Sequence, residues 1–184
     1  MRHSLRRGAL VCLLLTPVVG GCVLPSDTAK PSAQMLQADA RALVYGRTAS
    51  EVLNNPQLRD KVQALFAADW APPTPGGVGK LTLAAPQYFE RGGPLRMVHV
   101  GDADYIAVTG CAVQMCAGRR GLLLVREGAE VLMARIDEGG FSHQYAFGPG
   151  QTTGNVGGAA TVLDSAVLEL TRATGGDPYP QPAP

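Results

Sequence analysis

The sequence predicts an α+β domain in which an antiparallel β-sheet of about five strands carries helices packed on one face. Three observations predict it. Helical periodicity is confined to the segments before residue 71 and after residue 156. Between Met97 and Phe147 the pattern changes to short apolar runs separated by Gly- and Asp-containing turns. Those turns are too short for the crossovers of a parallel sheet, and helices that flank the strands rather than alternate with them mark the α+β class.

In chain order, Met35, Leu36, Ala40 and Leu43 fall at helical spacing and predict a helix over Ser32 to Leu43. Thr48-x-x-Glu51 is a capping box that opens a second short helix. Asn55-Pro56 supplies an N-cap with proline at the first helical position, and Leu58, Val62, Leu65 and Phe66 share one face of a helix running to about Ala68. Pro72, Pro73, Pro75, Gly76, Gly77 and Gly79 end the helical region. Strands are predicted at Met97 to Val100, Tyr105 to Thr109, Leu122 to Arg126, Glu130 to Ile136 and Phe141 to Phe147. The turns at Gly101-Asp102-Ala103-Asp104, Glu127-Gly128-Ala129 and Asp137-Glu138-Gly139-Gly140 suit hairpins, so the strands form an antiparallel meander. Val162, Leu163, Val167 and Leu170 predict a helix over Gly157 to Thr171 that packs on the sheet.

The first 21 residues read as an export signal: Arg2, Arg6 and Arg7, an apolar run from Ala9 to Val19, then Gly20 and Gly21 before Cys22. The run is about 11 residues, against about 20 for a membrane-spanning helix. Val19-Gly20-Gly21-Cys22 resembles the lipobox of bacterial lipoproteins, which implies lipidation of Cys22; an ordinary secretory signal is the alternative. The predicted organisation is a signal peptide over 1–21, the lipidated Cys22 and a flexible spacer over 22–33, a single domain over 34–176, and a Pro-rich tail over 177–184. The location implied is the cell envelope, with the protein lipid-anchored in the outer membrane and facing the periplasm. Loss of residues 1–21 lowers Lys+Arg from 16 to 13 against 15 Asp+Glu, a formal charge of −2. Only Arg119 and Arg120 are adjacent in the mature chain, which argues against a nucleic-acid partner.

No enzyme is predicted. His99 and His143 lie in predicted strands with no nucleophile or carboxylate at triad spacing, and both read as structural or surface histidines. Asp102 with Asp104, and Asp137 with Glu138, fall in hairpin turns and read as solvated turn residues rather than a catalytic carboxylate pair. No phosphate-binding loop, dinucleotide glycine pattern, nucleophile elbow or zinc-protease motif occurs, and no cofactor or metal is expected.

With Cys12 in the signal and Cys22 lipidated, Cys111 and Cys116 remain as a pair in an oxidising compartment and are expected to form one disulfide. A zinc site is the poorer reading, because Cys111-x4-Cys116 has only His99 and His143 to complete it. The bond closes a small ring around Ala112, Val113, Gln114 and Met115 between two strands. It either staples a hairpin end or preorganises a loop for insertion into a partner.

Gly101, Asp102, Tyr105 and Val108, leading to Cys111-x4-Cys116 and then Arg119 or Arg120 before an apolar strand, resemble the Ivy family, inhibitors of vertebrate lysozyme. The likeness covers about residues 50 to 147, and the helix over Pro56 to Ala68 lies where that family has one. It implies a plug rather than a catalyst: in that family the disulfide-closed loop Cys-Lys-Pro-His-Asp-Cys enters the lysozyme cleft, and its histidine hydrogen-bonds the catalytic carboxylates. Here Ala112, Val113, Gln114 and Met115 replace the Lys, Pro, His and Asp of that loop. A neutral Gln114 amide costs on the order of 1–2 kcal/mol against a charge-assisted bond, about tenfold in affinity. Arg119 and Arg120 oppose a basic lysozyme, whereas Val113 and Met115 make the tip apolar and adaptable. The expected partner is a lysozyme or another wall-cleaving glycosidase, with the membrane held through lipid on Cys22. A non-inhibitory interaction lipoprotein of the same fold and self-association as a homodimer remain open alternatives.

Overall fold

The computed structural model describes residues 30–149 and 156–180. Its elements are β1 (Ala33–Leu36), α1 (Ala49–Leu53), α2 (Arg59–Phe66), β2 (Arg91–Gly92), β3 (Arg96–Val100), β4 (Ala103–Cys111), β5 (Arg119–Arg126), β6 (Leu132–Glu138), β7 (Phe141–Phe147) and α3 (Val156–Thr174). Short 3-10 turns lie at Ala40–Leu43, Ala67–Trp70 and Ala85–Phe89. The class is α+β, built on one seven-stranded antiparallel sheet of order β1-β3-β4-β5-β6-β7, with β2 paired to the far end of β4. The expected signal segment with Cys22, most of the expected spacer, and residues 181–184 lie outside the described residues.

The meander from β3 to β7 follows from its turns. Gly101 and Asp102 alone join β3 to β4, with Gly101 at φ 67°, and Gly139 and Gly140, at φ 57° and 84°, join β6 to β7. Two positive φ angles match the twist of flanking strands, which is why a Gly-Gly pair closes that hairpin tightly. The structure extends the sheet from about five strands to seven. β2 and β3 occupy one strand position along β4: Gly92 pairs with Gly110 and Arg96 with Ala107. Residues 93–95 thus face only Val108 and Thr109, a one-residue bulge in which Gly93 N donates to Thr109 O at 2.9 Å.

The helix expected over Ser32 to Leu43 does not form. Ala33–Leu36 instead add a strand to β3, Ala33 opposite Val100 and Leu36 opposite Met97. Alternation lets Ala33 and Met35 pack on one face of the sheet while Leu36 packs on the other. Met35 N also donates to Glu169 Oε1 of α3 at 2.8 Å, so the strand is bonded at both edges. Half of the capping box forms, with Thr48 accepting from Glu51 N at 3.2 Å while Glu51 accepts from Arg47 N, one residue before the cap, at 2.8 Å; Asn55 caps the turn into α2 by accepting from Gln57 N at 2.8 Å.

Helices cover both faces of the sheet rather than one. Ile106, Val108, Leu123, Val125, Leu132, Ala134 and Ile136 form a core with α1, α2 and the 3-10 turns. The alternate residues Tyr105, Ala107, Leu122, Leu124 and Met133 pack against Ala159, Leu163, Ala166 and Leu170 of α3. The physical reason is visible in β5, where Leu122-Leu123-Leu124-Val125 is apolar without alternation and both faces need cover. The expected loose tail is likewise docked as far as Pro180: Tyr179 is buried in the α3-side core, its ring 5.4 Å beneath the Arg120 guanidinium, and Asp177 pairs with Arg120 at 2.8 Å.

One close approach fixes how the helical layer sits. A Cβ at Gly110 would lie 2.6 Å from the Cα of Phe89, and one at Gly121 would lie 2.6 Å from the tip of the Phe89 ring. Gly110→Ala pushes on backbone, so it is expected to destabilise the domain by about 2 kcal/mol through overpacking. Urea unfolding followed by circular dichroism measures this as a lowered midpoint with an unchanged slope.

Candidate functional site

The β4–β5 connection, residues 112–118, is the longest in the meander. It leaves the ladder after the pair Cys111–Arg120, and the Cys111–Cys116 disulfide closes it with Cα atoms 4.9 Å apart. Both cysteines are buried, whereas Val113 is 51% exposed and Met115 39%. Gln114 is exposed between them at φ 65°. Met115 N donates to Ala112 O at 3.0 Å, so residues 112–115 form a β-turn with Gln114 at the position that takes a positive φ. A non-glycine residue there stores on the order of 1 kcal/mol of backbone strain, which persists because the ring over-determines the turn.

The ring stands on a bonded base. Ala112 N donates to Arg119 O at 3.1 Å and Arg119 N to Met115 O at 2.9 Å. Arg120 Nε donates to Cys116 O at 3.1 Å and Nη2 to Ala117 O at 2.9 Å, while its guanidinium is held by Asp177 and lies over Tyr179. Its charge is therefore largely compensated within the domain. Arg119 Nη1 lies 2.8 Å from Met115 Sδ, and its Nε lies 3.9 Å from Glu138.

Glu138 corrects the expectation of a solvated turn. It is 6% exposed and accepts from Thr82 N at 3.0 Å, Thr82 Oγ1 at 2.6 Å and the Tyr88 hydroxyl. Burial alone would raise its pKa, but the bonds from Thr82 and Tyr88 outweigh it and hold the carboxyl below the usual glutamate value. Burial and the Glu138 bond together push the Tyr88 hydroxyl up to about 12. His143 Nε2 lies 3.9 Å from Glu138, and Asp137 pairs with Arg135 at 2.8 Å and accepts from the Ser142 hydroxyl. At the other end of the sheet His99 Nδ1 lies 2.6 Å from Asp104 Oδ1, and Arg41 reaches Asp104 at 2.9 Å. Asp102 is an exposed turn residue.

The predicted loop residues Ala112, Val113, Gln114 and Met115 therefore share one protruding turn, with Ala112 buried at its root and the other three at its tip. His99 and His143 lie at opposite ends of the sheet. Sequence reading missed the Glu138–Tyr88–Thr82 cluster because Glu138 lies 50 residues from Tyr88 and 56 from Thr82. Among the described residues no cluster of His, Cys, Asp and Glu could hold a metal ion, and no helix is long and apolar enough to cross a membrane. No protein-family model, no curated protein and no solved structure matches this chain.

Two outcomes follow from this geometry. Gln114→Val places a β-branched residue at positive φ and is expected to cost about 1 kcal/mol, whereas Gln114→Gly relieves strain and leaves stability unchanged or slightly raised; denaturant midpoints compare them. Glu138 has a lowered folded-state pKa, so its stabilisation is present above the ordinary value of 4.5 and is lost as pH falls through the folded value. Thermal unfolding midpoints should drop on acidification below about pH 4.5, and the drop should be shallower in Glu138→Gln.

Proposed function

We propose that the chain is an envelope lipoprotein that binds a wall-cleaving glycosidase by inserting the disulfide-closed turn 111–116 into its active-site cleft. The observation that carries this reading is the tip itself: Val113, Gln114 and Met115 are exposed on a turn whose two cysteines are buried and whose base is bonded by Arg119 and Arg120. A turn already held in one conformation pays little ordering entropy on binding. Narrow, protruding and rigid, it has the form of an object that fills a concave site.

The resemblance to the Ivy family supports the same use of the loop, and the export signal with Cys22 supports the location. The tip chemistry differs from that family's histidine-bearing loop. Val113 and Met115 offer apolar contact, and the Gln114 amide can donate to a catalytic carboxylate while its carbonyl accepts from a neighbouring donor. A glycosidase cleft lined by carboxylates and apolar sugar-stacking surface meets both demands. The side chains perform no reaction in this reading; they occupy the place of the substrate.

The test is turnover of c-type lysozyme, g-type lysozyme and bacterial wall hydrolases, with and without the folded mature domain. Inhibition of at least one of them is expected, weakened about tenfold by Gln114→Ala and by Met115→Ala. Replacing both cysteines by serine should weaken it further and lower stability by about 2 kcal/mol, the chain-entropy value for a six-residue ring. Absence of inhibition across the panel by a demonstrably folded sample would overturn the proposal.

A further inference from the structure

The sheet has two chemically different ends, and the chain enters at the one that does not carry the disulfide loop. Gly101 N, in the β3–β4 turn, donates to Ser32 O at 2.9 Å, and β1 begins directly after with Ala33 opposite Val100. The β5–β6 turn lies at this same end, whereas the Cys111–Cys116 ring and the β6–β7 turn lie at the other. From Ala103 to Cys111, β4 covers eight steps of about 3.4 Å, so the ring stands about 27 Å from the entry end.

The 3-10 turn Ala40–Leu43 is fastened to the entry end. Arg41 Nη1 bonds Asp104 at 2.9 Å, beside the β3–β4 turn, and Glu127 at 3.1 Å, in the β5–β6 turn. Leu43 is 49% exposed and Val44 65%, and the two rim a hollow of about 440 Å³ that Met97 and Ile106 also line. Asp39 accepts the third contact of Arg41 at 2.7 Å, so this guanidinium is matched by three carboxylates. Leu43 and Val44 stay outward beside it as apolar surface, and Arg96 lines a second hollow against Leu43.

We infer that this end rests on a lipid surface, with Leu43 and Val44 dipping into the headgroup–acyl boundary, so that the disulfide-closed loop points away from the membrane. The inference rests on reading Cys22 as the lipid-bearing residue. Lys30 follows Cys22 by eight positions, a reach of at most about 28 Å when fully extended. The acyl chains hold the protein at the membrane, and the tether raises the local concentration of the lipid surface around the Leu43–Val44 patch. Two aliphatic side chains then suffice to orient a domain that they could not anchor alone.

Three exposed valines make the test internally controlled: Val44, Val78 and Val113 are 65%, 86% and 51% exposed and share one side-chain chemistry. The full-length lipidated protein, reconstituted in vesicles of phosphatidylethanolamine and phosphatidylglycerol, is footprinted with hydroxyl radicals and read by mass spectrometry. Val44 labelling is expected to fall at least threefold relative to Val113 and Val78, and Val44→Asp, an exposed substitution, is expected to restore labelling of Leu43. Equal labelling of Val44 and Val113, or protection of Val113 instead, overturns the inference. So does protection of Val44 that persists in detergent and rises with protein concentration, which identifies a second copy as the occupant. An unmodified Cys22 in the intact mass overturns it together with the anchoring, whereas Val44 protection without inhibition of any hydrolase strikes only the inhibitor reading.

Discussion

Gly110 and Gly121 face each other across β4 and β5, and the absence of two side chains at that pair is the constraint on which the rest of the loop end depends. The gap is filled by Phe89, whose backbone crosses Gly110 and whose ring lies on Gly121. That contact fixes the 3-10 turn Ala85–Phe89 against the sheet, and Tyr88 is thereby carried to where its hydroxyl meets Glu138. Glu138 in turn lies 3.9 Å from Arg119, and Arg119 lies beside Met115 at the tip. A missing methyl group in the sheet is thus connected, through four side chains, to the position of an exposed thioether.

The opposite face supports the same loop by different means. Arg120 caps two carbonyls at the end of the ring and is itself sandwiched between Asp177 and the ring of Tyr179, so the last turn of chain after α3 becomes part of the loop's foundation. Central strands apolar on both sides allow this, because the sheet transmits a support from either layer to the one protruding turn. The disulfide adds little as a long-range staple, and its effect is local, on a ring of six residues.

The hairpin order of β3 to β7 was legible because the turn residues specify it: Gly101-Asp102 and Gly139-Gly140 admit few other geometries. Where the reading failed, the competing information was non-local. Met35, Leu36, Ala40 and Leu43 satisfy a helical repeat, yet the free edge of β3 and the Glu169 carboxylate draw Ala33–Leu36 into the sheet. The two-sided cover was written in Leu122-Leu123-Leu124-Val125, a run that does not alternate, but its meaning depends on where α3 returns. The disulfide was legible from cysteine counting alone. Glu138 was not, since nothing in Asp137-Glu138-Gly139-Gly140 announces that Thr82 and Tyr88 will close over its second residue.

The entry of the chain and the tip of the ring at opposite ends of β4 also have a mechanical meaning. A pull between Ser32 and Gln114 runs along the strands, while the ladder hydrogen bonds of an antiparallel sheet lie across them. Such a load shears the bonds of β1–β3 and β3–β4 together instead of opening them one after another from an end. With β4 flanked on both sides for most of its length and packed by helices above and below, the domain resists extension along the line that joins Ser32 to Gln114.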